Sequence, residues 1–320
     1  MKKIYLFLAT LCLTFFYSLS ASGNFLEQDG IRFFLDNETG FVGHASPTAD
    51  IVAVISWKDK NKENYSHLSG DVYIPSTLYV AFNPMGKVEV ISDNAFAEMR
   101  PFVNITLPHT IKEIWGNAFK NATGLRKIYL NEGLTTLKAN VFRGCYNLTS
   151  VNIPSTLKGI PNYTFEGCRS LSAINVAFVD TIGAHAFENC TALQSVSSSS
   201  TNFINFIWAR RIGACAFSNC VNLQQIKFSG LLESIGAHAF SDCKKLEQIA
   251  LPVNLKFIRD FAFSNSGLKT VTNYSSTPQQ ISSSVFEGVK LPLCILYVPK
   301  GCKDAYKNAP VWKEIGRAHV

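Results

Sequence analysis

Ile235-Gly-Ala-His-Ala-Phe240-Ser-Asp-Cys243-Lys-Lys-Leu246-Glu-Gln-Ile249-Ala-Leu251-Pro252 is the stretch that decides the fold. Its phenylalanine returns as Phe96, Phe119, Phe142, Phe165, Phe187, Phe217, Phe240, Phe263 and Phe286, at intervals of 23, 23, 23, 22, 30, 23, 23 and 23 residues. An aliphatic residue stands five positions before each, and a small or β-branched residue directly before it. So regular a period marks a solenoid, in which each rung buries its apolar side only against its neighbours. Leu246, Ile249 and Leu251 fall at offsets 0, 3 and 5, and the last part alternates with period two, as a short strand with one buried face does. Pro252 ends that strand because it has no N–H for the ladder. The Ala-to-Cys stretch has room for one turn, with Phe and Cys pointing inward.

The other cysteines follow from the same period. Cys145, Cys168, Cys190, Cys220 and Cys243 each lie three residues after the repeat phenylalanine. The repeat places them, and the expectation is a column of buried thiols acting as small hydrophobes, about 5 Å apart from rung to rung. Cys294 and Cys302 lie outside the column and flank Ile295–Val298. In an oxidising compartment they either close a small loop or stay as two free thiols.

The chain opens with Met1-Lys2-Lys3, an apolar run from Ile4 to Tyr17 and the small residues Ser18–Gly23. This is the layout of a secretory signal peptide, too short for a membrane span, so residues 1–22 are expected to be removed and the mature chain not to insert in a membrane. Loss of Lys2 and Lys3 would lower the formal charge from +7 to +5. That excess is mild and scattered, which argues against nucleic acid as a partner.

The pattern Ile-Gly-x-x-Ala-Phe-x-x-Cys-x-x-Leu-x-x-Ile-x-Leu-Pro resembles the leucine-rich repeats of the BspA-like bacterial surface proteins. The resemblance runs from about Ser69 to Glu314. Ser69–Ser76 is similar to that family's first strand, and Leu296–Tyr306 with Trp312 to its closing cap. It implies a repeat solenoid: a leucine-rich repeat right-handed superhelix with a parallel β-sheet on one face, about nine 23-residue rungs, capped at both ends. Residues 23–68 are then an N-terminal cap, 69–290 the solenoid and 291–315 a C-terminal cap. Residues 316–320 are an atypical tail whose nucleotide reading resembles a sequencing adapter, so the natural chain is expected to end differently or to continue. The resemblance also implies an exported or cell-surface binding protein, adhesin-like, whose partners are extracellular or cell-surface proteins of host matrix or other bacteria. Glycans are the alternative partner.

No Gly-x-Ser-x-Gly, His-Glu-x-x-His, phosphate-cradling glycine loop or Cys-x-x-Cys pair occurs. No enzyme activity, cofactor or metal is expected. One constellation has zinc-ligand chemistry: His185, Cys215 and His238, two residues before the phenylalanine on consecutive rungs. Other rungs carry Asn94, Asn117, Asn140, Tyr163, Phe261 and Ser284 there, which reads as a tolerant, partly exposed position. Binding is expected instead on the outward sheet residues, among them Lys127, Tyr129, Asn152, Asn175, Gln225 and Lys227. It is also expected on the insertion that lengthens the 30-residue interval, through Phe203, Phe206, Trp208, Arg210 and Arg211. Aromatic and Arg side chains are common interface anchors, although the aromatics can equally pack back on the solenoid wall.

Overall fold

The computed structural model describes residues 70–74, 76–80, 83–100, 103–176, 179–197 and 207–319, with three short strands ahead of them. The signal-peptide segment, Phe203 and Phe206 lie outside the described residues.

Every rung from Phe96 onward buries the same side chains. The nine repeat phenylalanines are no more than 2 % exposed, and each ring stacks on the next at centroid distances from 5.1 to 5.6 Å, within 17° of parallel. Phe187 and Phe217 are 5.2 Å apart despite the longer interval between them, so the stack continues unbroken across that interval. Trp312 meets the last ring edge-on at 5.9 Å and Tyr306 at 5.7 Å, turning an open stack into a closed one. Edge-on and offset contacts are the favoured aromatic geometries.

The thiol column forms as expected, and it does more than fill space. Cys145, Cys168, Cys190, Cys220 and Cys243 donate from Sγ to the carbonyls of Phe119, Phe142, Phe165, Phe187 and Phe217, at 3.0–3.2 Å. Cys294, outside the column, donates likewise to the carbonyl of Leu268 at 3.2 Å. All eight described cysteines are free, Cys294 and Cys302 included. Burial pushes the column thiols up, Cys243 to about 12.

The expected ladder is present. Its strands include 103–106, 125–129, 150–151, 173–175, 195–197, 225–226, 248–251, 270–273 and 295–297, paired in parallel within three successive sheets. The register sets Lys127 beside Ser150, Ser195 between Ala173 and Gln225, and Gln248 beside Thr270. Arg317–His319 adds a last parallel strand beside Ile295–Tyr297. Each rung also carries a second, two-residue strand just before its turn, at 113–114, 136–137, 159–160, 181–182, 211–212, 234–235 and 257–258. These make a second parallel ladder that the sequence reading did not separate. At its start, strands 25–28, 31–35 and 53–55 extend the sheet through strand 83–91.

The backbone enters the left-handed region on either side of the phenylalanine, two residues before it and two residues after it. The first column is Asn94, Asn117, Asn140, Tyr163, His185, Cys215, His238 and Phe261, with φ from 54° to 61°. The second includes Asn121, Gly144, Gly167, Asn189, Asn219, Asp242, Asn265 and Gly288. Asn, Asp and Gly suit that conformation and other side chains strain it. The position read as tolerant is therefore a constrained one.

Candidate functional site

The first ladder shows two outward columns. One holds Lys127, Ser150, Ala173, Ser195, Gln225, Gln248 and Thr270; the other Tyr129, Asn152, Asn175, Lys227, Ala250, Thr272 and Tyr297. Inward neighbours Ile128, Val151, Ile174, Val196, Ile226, Ile249 and Val271 are buried, which fixes the outward direction of the alternating residues. Lys127, Gln225 and Lys227 are exposed. Tyr129 is 54 % exposed and Tyr297, near the far end of the same column, 42 %.

Asn152 belongs to this face by position, but its amide is engaged. Its Oδ1 accepts from the Leu130 N–H at 2.8 Å and its Nδ2 donates to the Leu130 carbonyl at 2.6 Å. The side chain continues the ladder where the backbone strand stops, a fastening between rungs. Asn175, one rung on, is half-buried.

The insertion residues divide differently. Trp208 is 51 % exposed between the buried Ile207 and Ala209. Ile207 bridges to Phe228 at the end of the first ladder, whereas Arg211 pairs in the second ladder with Thr181 and Ser234. Arg210 is held by Glu233 at 3.2 Å. Trp208 thus lies between the two ladders along the chain, and Arg211 belongs to the second ladder rather than to the one that carries Tyr129.

The weighed constellation changes membership. His185 and Cys215 are neighbours, but the third group near them is Glu188, with His185 Nδ1 2.6 Å from Glu188 Oε2. His238 is exposed, its ring stacked 4.8 Å from Phe261. Sequence reasoning missed Glu188 because it considered one repeat position at a time, and the carboxylate comes from a position three residues on. The left-handed turn beginning at His185 folds that position back.

Residues 89–207 and 198–309 match, in 6 copies, the pattern described as a BspA type leucine rich repeat region. No curated protein matches the chain. Among solved structures, a leucine-rich repeat protein of T. pallidum is 23 % identical over 65 % of this chain and 89 % of its own, with a TM-score of 0.49. A leucine-rich repeat protein from Eubacterium ventriosum is 18 % identical over 95 % of this chain and 84 % of its own, TM-score 0.47. One described as a leucine rich cell surface protein, from Faecalibacterium prausnitzii, is 18 % identical over 88 % of this chain and 97 % of its own, TM-score 0.32. Among the described residues no helix is long and apolar enough to cross a membrane.

Proposed function

The chain belongs to the BspA-type leucine-rich repeat family, and from that premise we propose that it is an exported binding protein, adhesin-like, acting through the outward face of the first ladder. The observation that carries this reading is the pair of outward columns over the first ladder, with exposed Tyr129 and Tyr297 in the second of them. Exposed aromatics above short polar side chains suit protein contact, where rigid rings bury much area at small entropic cost. The partner class is an extracellular or cell-surface protein, of host matrix or of another bacterium. Export is supported by the Lys-led apolar start of the sequence.

A glycan is the second reading, favoured by Trp208, whose exposed ring offers a flat apolar surface to the C–H face of a sugar. One binding screen separates the two, using the purified chain against matrix proteins and a glycan panel, with Tyr129→Ala, Lys227→Ala and Trp208→Ala in parallel. A saturable protein hit weakened by the first two substitutions is the expected result. A sugar hit abolished by Trp208→Ala moves the function to the glycan reading. Absence of any saturable hit contradicts both.

A further inference from the structure

Three consecutive rungs share one hexapeptide in all but its fourth residue: Ile182-Gly-Ala-His-Ala-Phe187, Ile212-Gly-Ala-Cys-Ala-Phe217 and Ile235-Gly-Ala-His-Ala-Phe240. Their glycines bring the turns close together. A Cβ on Gly213 would lie 2.4 Å from the Ala184 nitrogen, and one on Gly236 2.5 Å from the Ala214 nitrogen. The turns are also tied by backbone hydrogen bonds, His185 N–H to the Ala214 carbonyl and Phe187 N–H to the Ala216 carbonyl, both at 2.8 Å.

This frame brings three metal-binding side chains together. A His185 nitrogen, a Glu188 carboxylate oxygen and the Cys215 sulfur all lie within 4.8 Å of one another, each half-buried. Ligand atoms on a tetrahedral zinc ion stand about 3.5 Å apart, so rotamer adjustments close the remaining gap. The donor set selects the ion. Sulfur with imidazole and one carboxylate suits the zinc class, whereas calcium and magnesium take oxygen donors in larger number. Thiolate and carboxylate together supply two negative charges, matching a divalent ion.

A second observation points the same way. His185 and Cys215 sit at φ 57° and 54° in the column where Asn94, Asn117 and Asn140 serve the earlier rungs. The shared turn conformation holds the two side chains at equivalent positions on adjacent rungs. Cys215 is also set apart from the thiol column. It occupies the outer position and is half-buried.

We propose that His185, Glu188 and Cys215 form a binding site for a divalent cation of the zinc class, with three protein ligands and a fourth position open to water. His238 lies outside it. The test uses the purified, chelator-stripped chain, titrated with zinc by calorimetry and with cobalt by absorbance. One ion per chain and a near-ultraviolet thiolate-to-cobalt charge-transfer band are expected. Cys215→Ser abolishes the band, while His185→Gln and Glu188→Gln each weaken zinc binding at least about ten-fold. His238→Gln leaves both readouts unchanged, and circular dichroism verifies that each variant is folded. Absence of stoichiometric binding, a band that persists in Cys215→Ser, or an equal loss in His238→Gln overturns the proposal.

Discussion

Phe240 and His238 are two residues apart in one turn, yet their columns behave differently along the chain. The inner column is phenylalanine on nine rungs, always buried and stacked. The outer column starts as Asn94, Asn117 and Asn140, then becomes Tyr163, His185, Cys215, His238 and Phe261 at nearly the same φ. Inside, one side chain satisfies one packing geometry and any departure leaves a void. Outside, asparagine satisfies the backbone with least strain, and five rungs depart from it. The four rings among them pair off, Tyr163 on His185 at 4.5 Å and His238 on Phe261 at 4.8 Å. Uniformity thus marks what the stack requires, and variation at a constrained position marks where side-chain chemistry is the reason for the choice.

The comparison breaks most readily at its inner side. Phe240→Ala removes a ring stacked on both faces and is expected to cost about 3–5 kcal/mol, read as the loss of urea-unfolding free energy; a variant as stable as the parent would refute the stack. The thiol column gives the next effect. Its pKa values are raised in the folded chain, so the unfolded state loses thiol protons first as pH rises past the ordinary value of 9.0. Stability therefore falls above about pH 9, and Cys168→Ala is expected to flatten that fall by about 1.4 kcal/mol per pH unit. An unchanged alkaline slope would show that the thiol is not held protonated by burial.

On the outer side the sign reverses. Cys215→Asn, which has no ring partner to lose, is expected to raise the unfolding free energy by about 1 kcal/mol by relieving a left-handed cysteine. No gain would show that the outer column is unstrained. The smallest effect sharpens the inner rule. Ser266 stands where the Cys column passes, with its hydroxyl oxygen buried and unpartnered. Ser266→Cys is expected to add roughly 0.5–1 kcal/mol, seen as a higher denaturation midpoint.

The period of the phenylalanines was enough to place the stack, the thiol column and the first ladder with its register, because each rests on burial repeated rung after rung. The second ladder was not legible. Its strands, such as Thr181–Ile182, are two residues long and offer no alternation to detect. The left-handed columns were legible in part: Asn121, Gly144, Gly167, Asn189 and Gly288 are a recurring turn signal, whereas Tyr163 and Phe261 conceal the companion position. On the candidate face, alternation identified Lys127, Tyr129, Gln225 and Lys227 as outward residues. It could not show that the Asn152 amide is bound to Leu130, since a hydrogen bond between rungs leaves no mark on spacing. Glu188 was hidden for a similar reason, as its approach to Cys215 depends on how closely two turns stack.

The most direct test of a binding face on the first ladder is hydroxyl-radical footprinting of the chain with and without a saturating matrix-protein partner. The exposed aromatics serve as reporters: Tyr129 and Tyr297 on the ladder face, Tyr146, Trp208 and Phe257 elsewhere. Protection confined to Tyr129 and Tyr297 is the predicted result. Protection at Tyr146 or Phe257 with Tyr129 and Tyr297 still fully reactive would contradict it.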